Sequence, residues 1–290
     1  MISVVIPVWN RAGMVGRTLE SLAAQTVWPD RVVLVDNDST DDTARVLRQW
    51  AMGRKDVEVV CERVPGAAAA RNCGLAAVDS EYVMFFDSDD VMPAGHVADV
   101  VRGLRDNGLP DIGAFDAVIR TDSGAVMPKP FRRGDVMFNH LFHGVLSTQR
   151  MVVKTSVIRG RGGWNASLRV WDDLELGVRL LSRGAGVKRL ELTAPVTIMS
   201  HGDSITGTAF SPKAGLWEAA LDCCDKELPR RYASLTDYRR AILAGDYLRE
   251  GRPDLAAGVR VTHRPWLMAL IRRYVAAGGR GVAEIARIFR

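Results

Sequence analysis

The stretch YVMFFDSDDVMPAG, residues 82–95, decides how this chain is read. Five hydrophobic or aromatic residues, Tyr82 to Phe86, run straight into Asp87, Ser88, Asp89 and Asp90. The apolar run reads as a strand. Carboxylates a few ångströms apart repel one another, and the repulsion costs stability unless a cation or a donor network offsets it. The pattern therefore predicts a cation or a donor network between Asp87 and Asp89, at the carboxyl end of a strand.

Upstream, ISVVIPV, RVVLVD and VEVVCE read as three further strands, separated by the helices MVGRTLESLAAQ, DDTARVLRQW and GAAAARNCGLAAV. ISVVIPV is a continuous β-branched run of the kind buried on both faces of a parallel sheet. The first helix is set by the spacing of Val15, Leu19 and Leu22. STDD caps the second helix and places acids in its first turn. The small residues of the third let it pack close to a sheet. Strands alternating with helices at this spacing predict a Rossmann-like α/β fold with a mainly parallel sheet flanked by helices.

Beyond Pro110 the alternation breaks down. DIGAFDAVIRTDSGAVMP reads as two strands around the turn Asp122-Ser123-Gly124. GDVMFNHLFHG reads as a helix, MVVKTSVI as a strand, and WDDLELGVRLLSRG as a helix that stops at Gly184. VKRLEL and VTIMS close the sheet, and from about Ser211 onward only helices are expected.

The chain of 290 residues is 47% hydrophobic and 25% charged, as soluble globular proteins are. It contains no run of ~18 apolar residues that would span a membrane. MISVVIPVWN lacks a basic leader region and reads as the first strand, so a cytoplasmic location is expected. Cys61, Cys73, Cys223 and Cys224 show no metal-ligand spacing and read as reduced. The net charge of +5 is unevenly spread: seven arginines and one acid lie from Leu255 to Arg290, against 32 basic and 33 acidic residues before them. A nearly neutral main body argues against nucleic-acid binding.

Ligands of open parallel sheets bind outside the carboxyl ends of the strands. Polar residues gather at those ends: Trp9 and Asn10, Asp36 and Asn37, and Asp87 to Asp90. The chain has no Gly-x-Gly-x-x-Gly after its first strand and no phosphate-loop motif, so those nucleotide-binding modes lose their support.

SVVIPVWNRAGMVGRTLESLAAQTVWPDRVVLVDNDSTDDT and GAAAARNCGLAAVDSEYVMFFDSDD resemble the opening of family 2 glycosyltransferases of the A-type fold. The likeness extends over roughly residues 1–200. It implies a nucleotide-sugar donor, a divalent metal and inversion at the anomeric carbon. Asp87, Ser88 and Asp89 match the family's Asp-x-Asp motif, with Asp89 as metal ligand and Asp87 as ribose or metal contact. Oxygen ligands of this kind suit Mn²⁺ or Mg²⁺, which would act as a Lewis acid on the departing phosphate. Pro7, Val8, Trp9, Asn10, Asp36 and Asn37 fall where the family holds the nucleoside. The family often has Asp-Asp where this chain has Asp36-Asn37; an amide both accepts and donates, so Asn37 could still read uracil or thymine. A UDP- or dTDP-sugar is the donor this implies. Arg71, in AAAARNCG, matches the family's Ala-Arg-Asn and would meet the diphosphate or the base edge.

GGWNASLRVWDDLELGVRL resembles the family's Gly-Gly-Phe followed by Glu-Asp at a helix start, with Trp164 for Phe and Asp172 for Glu. Asp173 aligns with the residue that deprotonates the acceptor hydroxyl, and Asp172 supports it or binds acceptor. Both acids would also favour a helix N-terminus with no catalytic duty. His201 falls where the family has a histidine near the metal or diphosphate, and Thr148 is placed at the sugar pocket. His96, His140, His143 and His263 have no partner visible in the sequence.

These readings divide the chain into a catalytic unit, 1–205, and a helical extension, 206–290. Residues 1–110 form the nucleotide-binding half and 111–205 the acceptor half. The acceptor is a sugar, a lipid-linked or a small molecule, as in cell-surface polysaccharide, glycolipid or glycoconjugate synthesis. A nucleotidyltransferase would carry a glycine-rich loop where the chain has PVWNRAGMVG, and a non-catalytic sugar-nucleotide binder would have lost Asp89 or Asp173. HRPWLMALIRRYVAAGGRGVAEIARIFR repeats apolar residues at helical spacing among arginines. Such basic amphipathic helices dock on an anionic leaflet, here the inner face of the membrane, or pack on the catalytic domain or on a second subunit of a homodimer.

Overall fold

A computed structural model describes residues 1–200 and 209–289. β1 (Ile2–Val8), α1 (Val15–Ala23), β2 (Arg31–Asp36), α2 (Thr43–Ala51), β3 (Val57–Cys61), α3 (Ala67–Ala77) and β4 (Tyr82–Phe85) alternate as the sequence predicts. After α4 (His96–Asp106) come β5 (Ile112–Ala114), β6 (Ala117–Thr121), β7 (Val126–Lys129) and α5 (Val136–His143). Then follow β8 (Met151–Lys154), α6 (Thr155–Gly160), α7 (Asp172–Ser182), β9 (Val187–Arg189) and β10 (Val196–Ser200). The remaining helices are α8 (Ala214–Glu227), α9 (Leu235–Arg249), α10 (Pro253–Gly258), α11 (Pro265–Ala276) and α12 (Val282–Phe289).

The main sheet runs β3-β2-β1-β4-β8-β5-β9. Its pairs are parallel except those of β8, which is antiparallel to both β4 and β5. The chain moves from β1 outward through β2 to β3 and then returns to place β4 on the other side of β1. A crevice at that switch, above the carboxyl ends of β1 and β4, is where such sheets bind ligands.

β1 is buried on both faces, which explains its unbroken apolar run. Val4, Ile6 and Val8 pack with Leu19 and Leu22 of α1 and Val100 and Leu104 of α4. Val5 faces the other way with Val33, Val35, Leu75 of α3 and Leu176 and Leu180 of α7. The small residues of α3 serve this contact: a Cβ on Gly74 would lie 2.3 Å from Val5 Cγ1.

Four expectations are corrected. The segment from Asp111 to Lys129 holds three strands, because β5 joins the main sheet while β6 and β7 form the expected hairpin. β10 leaves the main sheet and pairs in parallel with β6, giving a second sheet of order β10-β6-β7. MVVKTSVI is half strand: β8 pairs with β4 only as far as Tyr82 opposite Lys154. There Thr155 turns off, its hydroxyl donating to Ser80 O at 2.7 Å, and α6 begins. Finally, α2 starts at Thr43, leaving Asp41 and Asp42 outside its first turn. Asp41 instead accepts from the backbone N–H groups of Thr43 (2.9 Å) and Ala12 (3.1 Å).

The C-terminal helices share a core with the sheet's own helices. Leu267, Met268, Ile271 and Val275 of α11 cluster with Tyr238 and Ala241 of α9, Phe138 and Leu141 of α5, and Leu174 and Val178 of α7. No helix among the described residues is long and apolar enough to cross a membrane.

Candidate active site

A cleft of about 690 Å³ opens at the switch between β1 and β4. Its walls carry Pro7 and Trp9 after β1, Asp87 to Asp90 after β4, the end of the β6–β7 hairpin, Thr148 to Arg150 before β8, and Trp171 to Leu174 at the start of α7. Trp9 is 59% exposed, so it is no core aromatic.

Arg71 organises the polar wall. One guanidinium nitrogen donates to Asp87 Oδ1 at 2.8 Å and another to Asp172 Oδ2 at 2.6 Å. The group is 5% exposed and lies 4.5 Å above the Trp164 ring. Its neighbour Asn72 fixes the same strut: Asn72 Oδ1 accepts from Trp164 N, and Asn72 Nδ2 donates to Trp164 O, both at 2.8 Å. Gly163, at φ +68°, makes room for that amide, since a Cβ there would sit 2.5 Å from Asn72 Oδ1. The Ala-Arg-Asn and Gly-Gly-Trp segments are thus two halves of one joint.

The aspartate cluster is balanced from inside the protein. Asp87 takes its second hydrogen bond from Gln149 Nε2. Burial raises the Asp87 carboxyl, Arg71 pulls it down, and Asp89 raises it again. Burial, then the charges of Asp87 and Asp89, push Asp90 up to about 9. Asp90 is therefore a neutral acid at pH 7; its Oδ1 accepts from Met199 N at 2.7 Å. Arg71 keeps its proton tightly: burial works against its charge, but Asp172, Asp87 and Asp173 outweigh it. Part of what offsets the like charges is this guanidinium, and part is the donor from Gln149.

Asp172 and Asp173 differ in surroundings. Asp172 is tied to Arg71, whereas among the described residues Asp173 Oδ1 accepts only from its neighbour's N–H, Leu174 N, at 2.8 Å. Burial, then the charge of Asp172, push the Asp173 carboxyl up to about 6, against the pull of Arg71. The turn presenting them is strained: Trp171 sits in the left-handed region at φ +50°. Trp217, with its ring 4.8 Å away, and the Arg239 guanidinium, 4.4 Å over the ring, hold Trp171 there. His140, buried in α5, braces the next residue, its Nε2 lying 3.0 Å from Leu174 O while Nδ1 accepts from Leu146 N. Burial drives that imidazole down to about 4, so it is neutral, and its role is structural.

Other expected residues lie apart from the cleft. Both amide hydrogens of Asn37 are used on the carbonyls of Glu62 and Val64, at 2.8 Å each, and Oδ1 accepts from Gly66 N. Asn37 thereby holds the 62–66 segment. Asp36 is buried and caps Ser39 N at 3.2 Å. Asn10, at φ +48°, accepts from Thr40 N, and the Val8 side chain belongs to the core. Ser88 and Thr148 line the cleft. His201 lies outside the described residues. Sequence reading missed Gln149, Arg150, Arg169 and Arg239, all on the cleft wall. A Gln-Arg pair directly before the apolar run Met151–Val153 was the available signal for the first two.

Among the described residues no three His, Cys, Asp or Glu side chains form a ready-made cation cage. Mg²⁺ and Mn²⁺ sites that use one or two carboxylates plus substrate phosphates need none. Asp89 beside Asp87, with a cluster of like charges and a carboxyl forced to stay protonated, fits such an ion.

A family model described as glycosyl transferase family 2 matches residues 3–165. Glycosyltransferase GlyG of Streptococcus pneumoniae is 33% identical over 107 residues, 37% of this chain and 36% of that protein. The Escherichia coli UDP-Glc:alpha-D-GlcNAc-diphosphoundecaprenol beta-1,3-glucosyltransferase WfaP is 33% identical over 93 residues, 31% and 36% of the two chains. The match thus spans about a third of these relatives' length. Residues 1–349 of S. aureus TarS in complex with UDP-GlcNAc share the fold at a TM-score of 0.64 and 16% identity, over 100% of this chain and 92% of that one. The mannosyltransferase PcManGT of Pyrobaculum calidifontis, in complex with GDP-Man and Mn²⁺, does so at 0.59 and 19%, over 99% and 78%.

Proposed function

The chain belongs to glycosyl transferase family 2, and we propose that it moves a sugar from a nucleoside-diphosphate donor to an acceptor hydroxyl with inversion at the anomeric carbon. The observation that carries this is the placement of Asp87, Arg71, Asp172 and Asp173 as one hydrogen-bonded and electrostatically linked wall of the cleft. The names of the solved neighbours, with UDP-GlcNAc and GDP-Man bound, support a nucleotide-sugar donor.

Trp9 presents an exposed ring for the base, and Asp87, with Ser88, borders the ribose and diphosphate. Asp89, with Asp87, would hold a divalent ion, which when bound neutralises charge on the departing diphosphate. Asp173 is the general base. The acceptor oxygen bonds to the anomeric carbon, and its proton passes to an Asp173 carboxylate oxygen. The bond from that carbon to the diphosphate oxygen breaks, and its electron pair leaves with the nucleoside diphosphate. Arg71 is a positioning residue: it ties Asp172 to Asp87, so the donor and acceptor sides share one rigid strut. A carboxyl near pH 6 suits a base that must accept a proton and release it again.

The proposal includes residues 1–205 as the catalytic unit and 206–290 as a helical region packed upon it. It also includes contact between α11 and α12 and an anionic membrane surface. The deciding experiment incubates purified protein with a panel of UDP-, dTDP- and GDP-sugars and Mn²⁺ or Mg²⁺, scoring nucleotide release. Release from one donor, lost in Asp173→Asn, is expected; release unchanged in that variant refutes the assignment.

A further inference from the structure

The cleft holds a second charge population that sugar transfer as described does not use. Lys129 ends the β6–β7 hairpin, Arg132 follows it, Arg150 precedes β8, and Arg239 stands on α9; all four line the cleft. Among the described residues none of them forms an ion pair with a carboxylate of the chain. The carboxylate whose charge acts on Arg150 is Asp116, which already accepts from Arg189 at 3.0 Å and from Phe131 N at 2.7 Å. The cations also feel one another. Lys129 is exposed on the hairpin, but partial desolvation at the cleft lowers its ammonium, and Arg150 and Arg132 lower it further. His143, beside them, is driven down to about 4 by burial and then by Arg132, so it adds no charge.

Arg150 is the sharpest member. It is 2% exposed, and its Nη1 donates to Gly144 O at 3.0 Å, yet among the described residues its Nη2 has no hydrogen-bond partner. Arg239 likewise leaves its Nε without one. Buried guanidinium nitrogens are costly to leave unpaired, and like charges gathered in a cleft ask for an anion. Arg71 cannot be the reason, because two carboxylates already neutralise it. Arg239 is near enough to Asp173 for that carboxylate to act on it. The cationic group therefore borders the acid that would take the acceptor's proton.

We propose that Lys129, Arg132, Arg150 and Arg239 form an anion subsite for the acceptor, and that the acceptor carries a phosphoryl group close to the hydroxyl delivered to Asp173. The inference rests on the sugar-transfer reading and names its acceptor class. A phosphodiester of a polyol phosphate polymer and the diphosphate of a lipid-linked sugar both supply this chemistry.

The test uses the full chain and inorganic pyrophosphate by calorimetry, first in metal-free buffer without nucleotide and then with Mn²⁺ and saturating UDP. Binding is expected to persist with UDP present, to weaken as salt rises, and to fall at least tenfold in Lys129→Gln/Arg132→Gln, whose side chains are exposed enough to spare the fold. Displacement of pyrophosphate by UDP would assign these cations to the donor's diphosphate and overturn the proposal. Absent binding, or equal binding by the variant, overturns it too. Failure of UDP to bind counts against the donor reading, while pyrophosphate binding to the UDP-free protein still reports on the subsite. A turnover panel then separates the sources: a polyol phosphate oligomer, a lipid diphosphate-linked sugar and a neutral oligosaccharide. Use of either phosphorylated acceptor, with KM raised about tenfold in the variant, supports the proposal; preference for the neutral one sinks it.

Discussion

The Arg71 guanidinium meets Asp172 at 2.6 Å across 101 positions of sequence, and its other arm holds Asp87. Neither aspartate has another cation of the described chain at ion-pairing distance. Removing one partner of a buried ion pair typically costs about 3–5 kcal/mol, because the remaining charge is left uncompensated. Arg71→Met should lose stability on that scale in urea unfolding at pH 7. The pH dependence has a definite sign. Without the guanidinium, the Asp87 carboxyl, already raised by burial, rises further above its unfolded value, so the folded state binds protons more readily. The variant's deficit should therefore grow as pH rises from 5 to 8. A deficit that shrinks over that range contradicts the strut.

Asp172 and Asp173 should separate cleanly by kinetics. Asp173→Asn is expected to lower transfer by ~10²–10⁴ with little change in nucleotide affinity. Asp172→Asn should lower it less and destabilise the fold more, since it releases one arm of Arg71. The wild-type kcat/KM should fall below about pH 6, where Asp173 takes up its proton, and the residual rate of Asp173→Asn should lack that limb. A reversed order for the two variants would move the base to Asp172.

How much of this was legible in the sequence follows from burial. β1, β2 and β4 lie at the sheet centre, and their unbroken apolar runs announced them. β8 was misread beyond Lys154 because its end is set by where β4 starts, and TSVI suits helix or strand alike. The aspartates after β4 were readable as a charge problem, but the solution was not. No local pattern says that Arg71 reaches Asp172, or that Asp90 keeps its proton. The partners of Asn37 were hidden for the same reason: its three hydrogen bonds go to residues 25 to 29 positions away.

Ion dependence gives a further measurement. Donor turnover should require Mn²⁺ or Mg²⁺, stop with excess EDTA, and return when the ion is restored. Asp89→Asn keeps the shape of the side chain and removes a charge from a cluster of like charges. It should therefore leave thermal stability nearly unchanged or raised, while abolishing most turnover. Full turnover of Asp89→Asn, or turnover in chelator, would assign the aspartates after β4 to another role.

The tail makes the last prediction, and the fold changes how it must be tested. Leu267, Met268, Ile271 and Val275 face inward, and α11 crosses α9 so closely that a Cβ on Gly245 would lie 2.6 Å from Val275 Cβ. Deleting α11 and α12 would uncover that core, so a truncated chain is a poor control. The outward row is Trp266, Leu270 and Tyr274, all exposed, with Arg273 among them and the exposed Arg280, Arg287 and Ile288 nearby. Exposed apolar anchors beside arginines match an anionic leaflet, where each basic residue contributes ~1 kcal/mol. Full-length protein should float with anionic liposomes, less so at high salt, and not with neutral ones. Trp266→Ser/Leu270→Ser should abolish flotation with little change in the melting temperature, since neither side chain is buried. Flotation of that variant equal to the parent would rule this face out as the membrane contact.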